Sequence, residues 1–190
     1  MTAYPSLPTK RLLLRPFQID DAPTVHKLAG DKAVAATTQN IPHPYEPGTA
    51  EGWIQAHPER YKQGLGVVFA IVLREDDTLI GSISLAINQP NRRAEMGYWI
   101  GHPYWNQGYC TEAARAVIGY GFAQHKLNRI YARHMGTNPA SGRVMEKIGM
   151  RYEGRLRQHI QKWGQFDDIL NYGGLRESFE DPPKAVPDSE

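Results

Sequence analysis

The stretch Trp105-Asn106-Gln107-Gly108-Tyr109-Cys110-Thr111-Glu112-Ala113-Ala114 joins the end of a strand-like run to the start of an amphipathic helix pattern. A glycine-containing turn that opens a helix presents several unpaired backbone N–H groups at the positive end of the helix dipole. Together these groups form an anion site that suits phosphate. The turn lacks the Lys-Ser/Thr ending of a nucleoside-triphosphate loop and the three spaced glycines of a dinucleotide fingerprint. It therefore predicts a site for a pyrophosphate-bearing ligand of another kind.

Apolar runs and turn residues on both sides of this stretch predict the other elements. A polar, proline-rich loop occupies residues 37–47, and Gly97 inside a strand pattern indicates a bulge or a close backbone approach. The order β-α-α-β-β-β-α-β-α-β-β predicts a mixed α/β (α+β) fold, with a mostly antiparallel sheet and helices on both faces. Strands are predicted at residues 11–15, 67–73, 79–87, 94–100, 129–135, 150–161 and 165–176, and helices at residues 21–29, 49–61, 109–124 and 139–148.

Composition sets the class of protein. A chain of 190 residues with 41% hydrophobic and 22% charged residues suits one globular domain, which we place at residues 1–179, with a frayed acidic tail at 180–190 that begins to loosen from Glu177. The net charge of +2 and the scattered basic residues give no case for nucleic-acid binding. No apolar run approaches membrane-spanning length, and the N-terminus lacks a signal-peptide pattern.

The single cysteine, Cys110, excludes an internal disulfide and fits a reducing, cytoplasmic location. The seven histidines show no metal-ligand spacing, so we expect no metal. A nucleophilic role for Cys110 requires a partner histidine, and the sequence assigns none, so we interpret this residue as a small filler in the turn.

Several segments in order carry a family resemblance. From Leu7 to about Phe179 the chain resembles the GNAT superfamily of acetyl-CoA-dependent N-acetyltransferases, and most closely the branch of RimJ/RimL-type ribosomal-protein N-terminal acetyltransferases. Each segment is weak alone, and their shared order makes the signal specific. Besides the turn at Gly108, they are Leu7-Pro8-Thr9-Lys10-Arg11-Leu12-Leu13-Leu14-Arg15-Pro16, Ile41-Pro42-His43-Pro44-Tyr45, Ala94-Glu95-Met96-Gly97-Tyr98-Trp99-Ile100, Asn138-Pro139-Ala140-Ser141 and Lys147-Ile148-Gly149-Met150.

The resemblance implies a sheet that splays between its fourth and fifth strands, so that the pantetheine arm of acetyl-CoA pairs with Ile100. A backbone N–H near Ile100 would then polarise the thioester carbonyl as an oxyanion hole does. Asn138 would bond the arm's amide, and two basic residues four apart on one helix would meet the ribose phosphate. The implied cofactor-binding residues are Ile100, Trp105, Asn106, Gln107, Gly108, Tyr109, Cys110, Thr111, Asn138, Arg143 and Lys147.

Two residues are the catalytic candidates. Period-two alternation places Glu95, Gly97 and Trp99 on one strand face, where the Glu95 carboxylate would take the amine proton directly or through water. The alternative is an ion pair of Glu95 with Arg92, Arg93 or a base from another strand. Many relatives carry a tyrosine where this chain has Met145, and the resemblance then moves the thiolate-protonating acid to Ser141. The alternative for Ser141 is a polar residue of the helix cap.

The predicted function is direct transfer of an acetyl group from acetyl-CoA to a primary amine, without a covalent acyl-enzyme. The acceptor is a protein N-terminus, a ribosomal protein included, or a small amine. A CoA-binding sensor or interaction module with weakened catalysis is the alternative of another class, favoured by Met145. A cysteine-dependent acyltransferase using Cys110 is a third. The sequence identifies neither the acceptor nor the oligomeric state, and a homodimer is one of the states left open.

Overall fold

The computed structural model describes residues 4–180 of the chain as a single sheet flanked by helices. The strands are β1 (Leu7–Pro8), β2 (Leu12–Arg15), β3 (Gly66–Leu73), β4 (Leu79–Asn88), β5 (Arg93–Ile100), β6 (Arg129–Met135), β7 (Arg151–Lys162) and β8 (Gln165–Leu175). The helices are α1 (Ala22–Ala29), α2 (Lys32–Ala36), α3 (Thr49–Gln55), α4 (His57–Lys62), α5 (Tyr109–His125), α6 (Pro139–Lys147) and α7 (Arg176–Glu180), with 3-10 turns at Ile19–Asp21 and His102–Tyr104.

The eight strands lie in the order β1-β2-β3-β4-β5-β6-β8-β7. Every neighbouring pair is antiparallel except β5 and β6, which run parallel. These two strands pair only from Arg93↔Arg129 to Met96↔Ala132, and beyond that point they part. β5 and β6 are the fourth and fifth of the predicted strands, because β1 was not predicted. The predicted mostly antiparallel sheet with a splay between these two strands is therefore confirmed.

The sheet separates two apolar cores, and β3 shows why. Its alternate residues Val67, Phe69 and Ile71 pack with α5, whereas Ala70 and Val72 pack with α1 and α3. A strand covered on both faces needs an uninterrupted apolar sequence, as residues 66–73 have. The predicted helices on both faces are confirmed.

The helix α6 begins and ends at the signals that the sequence carries. The Asn138 Oδ1 atom accepts the Ser141 N–H at 3.2 Å, Pro139 occupies the first helical position, and Gly149 follows the helix with a φ of +92°. This start fixes the position of Ser141 on the first turn, beside the splayed strands.

Some predicted boundaries are wrong. The helix expected at residues 49–61 divides at Ala56 into α3 and α4, because Pro58 has no N–H to continue the helical hydrogen bonds. The short elements α2 and β1 were not predicted. The tail expected to loosen from Glu177 forms α7 instead, where the Phe179 ring lies 5.4 Å from that of Phe122. Residues 181–190 of the predicted tail lie outside the described residues, and the domain boundary stays a prediction.

Within residues 4–180, no helix combines the length and the apolar character that crossing a bilayer requires.

Candidate active site between the splayed strands

A cleft of about 670 Å³ opens where β5 and β6 part. The turn before α5, the ends of β5 and β6, the first turns of α6 and the loop at residues 37–42 all line it. The side chains of β5 alternate, so Glu95 and Trp99 face the side of α1 and α3, whereas Met96 and Tyr98 face α5 and α6. The cleft therefore passes from one face of the sheet to the other.

The predicted phosphate turn adopts a backbone that presents donors to this cleft. Asn106 and Gly108 both lie in the left-handed region, at φ of +61° and +78°. Gly108 is the N-cap of α5, so the N–H groups of the first helical turn have no acceptor within the helix. A Cβ at Gly108 would meet only Arg11 Nη2, at 3.5 Å, so the backbone conformation rather than crowding calls for glycine there.

A hydrogen-bonded brace holds this turn against the start of the chain. The Glu112 carboxylate accepts the Thr9 hydroxyl, the Arg11 backbone N–H and the Arg11 Nε–H, each at 2.7 Å. Arg11 Nη1 also donates to the Gln107 carbonyl at 2.9 Å, and its guanidinium lies 4.5 Å from the Tyr109 ring centre. Burial raises the pKa of Glu112, but these hydrogen bonds outweigh it and lower the pKa overall.

Trp105 fastens the turn to the end of β5. Its indole N–H donates to the Ile100 carbonyl at 2.6 Å. The Gly101 N–H donates to Ile80 in β4, so by alternation the backbone groups of Tyr98 and Ile100 point into the splay. One of the backbone groups predicted to face the pantetheine arm, the Ile100 carbonyl, is thus already bonded within the chain.

Two hydroxyl groups meet on the α5–α6 side of the cleft. The Tyr98 hydroxyl lies 2.8 Å from Ser141 Oγ and donates to the Ser141 carbonyl at 3.1 Å. Burial raises the pKa of Tyr98, the nearby Cys110 adds to the rise, and the Ser141 hydrogen bond opposes it. The Tyr98 hydroxyl therefore keeps its proton at neutral pH.

On the α1–α3 side, Glu95 forms an ion pair with a base from another strand, the alternative that the sequence left open. Arg133 donates through Nε at 2.9 Å and through Nη2 at 3.0 Å to the two carboxylate oxygens. The Tyr131 hydroxyl donates a third hydrogen bond to Glu95, at 3.2 Å. Burial is the main cause that raises the pKa of Tyr131, and the negative charge of Glu95 is the second. A carboxylate offers about four acceptor positions, so most of the capacity of Glu95 is used.

Two tethers hold the loop at residues 37–42 over the cleft. The Asn138 Nδ2–H donates to the Thr37 carbonyl at 3.0 Å, and Lys162 Nζ at the tip of the β7–β8 hairpin donates to the carbonyls of Thr38 and Ile41. Both polar ends of Asn138 are thus engaged, because its Oδ1 caps α6. Beside the polar residues of the loop, the walls on this side include the apolar and aromatic residues Val25, Ile41, Tyr45, Trp53 and Trp99.

Burial of Cys110 disfavours the thiolate, which is the nucleophilic form of a cysteine. Burial raises its pKa far above neutrality, so the thiol stays protonated. The buried His134, which also lines the cleft, hydrogen-bonds through Nδ1 to the Met135 carbonyl at 2.8 Å, and its Nε2 faces Gly142. Among residues 4–180 no three His, Cys, Asp or Glu side chains lie close enough together to hold a metal ion.

The structure brings most of the sequence-predicted site residues together. Among the exposed residues of α6, Arg143 and Lys147 line the cleft, and their contact with a phosphate stays a prediction. Gln107, which was predicted to bind the cofactor, does not line the cleft: its carbonyl accepts from Arg11 and its side-chain amide donates to the Pro103 carbonyl. The residues that do line it are Glu95, Ile100, Trp105, Asn106, Gly108, Tyr109, Cys110, Thr111, Asn138, Ser141, Arg143 and Lys147.

Tyr98 was not predicted as the partner of Ser141, and Arg133 was not singled out among the bases open to Glu95. Both contacts join residues about 40 positions apart, since Tyr98 and Ser141 are separated by 43 residues and Glu95 and Arg133 by 38. The only signal in the sequence was the alternation of β5, which places Tyr98 and Glu95 on opposite faces.

Comparison with known proteins agrees with this arrangement. The acetyltransferase (GNAT) domain family matches residues 11–151. The uncharacterized N-acetyltransferase YnaD of Bacillus subtilis is 36% identical over 172 residues, which cover 90% of this chain and 97% of YnaD. A crystal structure of a GNAT-family acetyltransferase from Bacillus anthracis is 29% identical, covers 91% of this chain and 99% of its own, and superposes with a TM-score of 0.81.

A further solved structure shares the fold at lower identity. RimL, a ribosomal α-N-protein acetyltransferase in complex with coenzyme A, is 20% identical, covers 90% of this chain and 98% of its own, and has a TM-score of 0.82. The sheet, the splay and the turn before α5 define the fold of an acetyltransferase. The chain belongs to the GNAT acetyltransferase family and is an N-acetyltransferase by that membership. A ribosomal-protein-serine acetyltransferase of Escherichia coli is 29% identical over 126 residues, which cover 66% of this chain and 69% of that protein, and RimL and RimJ share the fold.

Proposed function

We propose that this protein transfers an acetyl group from acetyl-CoA to a primary amine by direct attack of the amine nitrogen on the thioester. The observation that supports this proposal most strongly is the position of the turn before α5, whose backbone N–H donors adjoin the gap between β5 and β6. A thioester with a long arm and a diphosphate fits that arrangement, because the arm enters the gap while the diphosphate meets the turn. The structure of RimL with coenzyme A supports the same ligand in the same fold.

The residues of the turn and of α6 are suited to the cofactor's charged half. The backbone of Asn106 and of Gly108 to Thr111 would receive the diphosphate at the positive end of α5. Arg143 and Lys147, exposed and four residues apart on α6, would meet the phosphate of the ribose. The arm would then run beside β5, where the backbone of Tyr98 and Ile100 faces the splay, and a backbone N–H near Ile100 would polarise the carbonyl.

Glu95 is the proposed base, with Arg133 as the residue that positions it. Most of the acceptor capacity of the Glu95 carboxylate is already used, so the proton would reach it through water. The acceptor amine should therefore be one that loses its proton readily. An α-amine, with a pKa near ~8, is about 10% neutral at pH 7, whereas an alkylamine with a pKa near ~10.4 is neutral to only about 0.04%. An amine next to a carbonyl group, as at a polypeptide N-terminus, is therefore favoured over an alkylamine.

The charges along the cleft support the same kind of acceptor. On the α1–α3 side, the charged residues lining the described cleft are Glu95 and Arg133, one of each sign. A polyamine or an aminoglycoside carries several positive charges and requires several carboxylates to recognise it. A single α-amine with an apolar neighbour matches one carboxylate, one guanidinium and walls such as Trp53 and Trp99. We accordingly infer a protein N-terminus, or a small compound of the same chemistry, as the acceptor.

The acid in this scheme is Ser141, and the leaving sulfur is its target. Its hydroxyl lies on the first turn of α6, within the cleft and close to Tyr98. Proton donation to the thiolate by a positioned hydroxyl contributes to the rate when the C–S bond breaks.

We infer a cytoplasmic location, where both acetyl-CoA and newly made proteins occur. We also propose a homodimer, which sedimentation of the purified protein tests.

The experiment measures free thiol release from acetyl-CoA with a panel of acceptors. The panel holds alaninamide, phenylalaninamide, peptides that start with Ala or Ser, spermidine and an aminoglycoside. We expect turnover with the α-amines and little with spermidine. Binding of CoA with no turnover on any acceptor would establish the sensor instead, and loss of activity in C110A with unchanged CoA affinity would establish a cysteine mechanism.

A further inference from the structure

The hydroxyl of Tyr98 is a buried functional group that the proposed reaction does not yet use. Tyr98 lies in the part of β5 that has lost its β6 partner, so its side chain is beside the cleft rather than under a continuous sheet. The hydroxyl reaches across to α6 and ends 2.8 Å from Ser141 Oγ. Ser141 itself is fixed by the Asn138 cap, through its N–H. Two hydroxyls from different elements are thus held at hydrogen-bond distance in the cleft.

The placement of the Tyr98 proton decides where the Ser141 proton points. A tyrosine hydroxyl has one proton, and burial, which raises its pKa, keeps that proton on Tyr98. That proton has two acceptors on Ser141, the carbonyl at 3.1 Å and the closer Oγ at 2.8 Å, and a three-centre hydrogen bond serves both. The share on Oγ occupies one lone pair of the serine, so the serine's own proton turns away from Tyr98. The serine's proton then points into the cleft, where a ligand can accept it. If Ser141 donated instead, its proton would be consumed within the chain.

The sequence gives a second reason to look at this hydroxyl. Met145 lies one turn beyond Ser141 on α6, is 1% exposed and packs in the core. The helix therefore supplies no phenol of its own one turn beyond Ser141. The phenol that contacts the first turn of α6 comes from β5.

We propose that Tyr98 is a positioning residue that orients the Ser141 hydroxyl towards the leaving sulfur of acetyl-CoA. This inference rests on the proposed function. The amine nitrogen forms the C–N bond, the electron pair of the C–S bond stays on sulfur, and sulfur receives the Ser141 proton. The proton released by the nitrogen restores Ser141 through water, and Tyr98 keeps its own proton throughout.

The test is a double-mutant cycle with acetyl-CoA and the most active of alaninamide, phenylalaninamide and spermidine. Y98F keeps the ring and removes the hydrogen bond, so kcat is expected to fall about tenfold while the KM for acetyl-CoA stays within about twofold. S141A is expected to lower kcat about 100-fold. Because Tyr98 acts through Ser141, the double variant should match S141A rather than fall about 1,000-fold.

Y120F is the matched control, since Tyr120 is also a tyrosine with a hydrogen-bonded hydroxyl and lies on α5 away from the cleft. Its kcat should equal that of the wild type, and thermal unfolding reports whether each variant is folded. A wild-type kcat for Y98F, or multiplicative losses in the double variant, would overturn the inference alone. Wild-type protein that binds CoA and releases no thiol with any of the three amines would overturn the proposed function, and the inference with it.

Discussion

Replacing Glu112 with alanine tests whether the start of the chain holds the phosphate turn in place. The Glu112 carboxylate accepts three hydrogen bonds of 2.7 Å, and the Arg11 side chain that it orients also supports Gln107 and Tyr109. The side chains of Arg11 and Glu112 are 43% and 18% exposed, so solvent screens the pair in part. Allowing for this screening, we expect E112A to lose about 2 kcal/mol of unfolding free energy.

The consequence for binding follows from the same contacts. Without the brace, the turn has to be ordered by the ligand, and we expect the affinity for CoA to fall about tenfold, equivalent to about 1.4 kcal/mol. Urea unfolding measures the first quantity and titration calorimetry with CoA the second. E59A is the control, because the exposed Glu59 accepts a side-chain hydrogen bond from Gln63 on a surface helix remote from the turn.

The pH dependence of E112A gives a sharper check. The pKa of Glu112 is lowered in the folded protein, so its contribution to stability is complete above the unfolded pKa of about 4.3 and is lost as the pH falls through the lower folded value. The unfolding free energies of wild type and E112A should therefore converge in acid. Equal stability of the two proteins at pH 7, or unchanged CoA affinity in E112A, would refute the role of the brace.

Three further predictions concern the cleft and the fold. E95Q should lower kcat/KM most at acidic to neutral pH, where the acceptor still carries its proton, and an unchanged pH–rate profile would remove Glu95 as the base. Burial, followed by the charge of a nearby arginine, lowers the pKa of His57 to about 4, so the folded protein binds this proton more weakly than the unfolded chain and stability declines as the pH falls from 6.5 towards 4. Between pH 7.5 and pH 5 the loss is about 2 kcal/mol, which H57F should abolish; a wild-type pH dependence in H57F would contradict this. G142A places a Cβ 2.8 Å from His134 Nε2 and should destabilise the fold by about 1–3 kcal/mol in urea unfolding, whereas G119A, with open space around its Cβ, should stabilise α5 by up to about 1 kcal/mol; equal stabilities would be contrary to the packing described.

The parts of the fold that the sequence predicted are those with strong local signals. The apolar run at residues 67–73 indicated a strand buried on both faces, and Asn138, Pro139 and Gly149 marked the ends of α6. The helix α2 escaped prediction because its five residues are too few to show a period, although Asp31 caps it through the Ala33 N–H. The helix α7 escaped because its anchor, the contact of Phe179 with Phe122, joins distant parts of the chain.

The candidate site divides in the same way. The turn at Gly108 was predictable because a helix start and a left-handed glycine are local features. The roles of Asn138 and Trp105 were harder to predict, because their polar atoms are engaged by Thr37 and Ile100. Which base would meet Glu95 depended on how β5 and β6 align, and alignment of parallel strands is set by the tertiary fold.

Titration calorimetry of the wild-type protein with CoA and with pantetheine tests the central claim most directly, because the two ligands share the arm and only CoA carries the diphosphate. We predict that one CoA binds per chain with a dissociation constant in the micromolar range and that pantetheine binds far more weakly. No heat from CoA, or equal affinity for both ligands, would contradict the assignment of the turn before α5 as the diphosphate site.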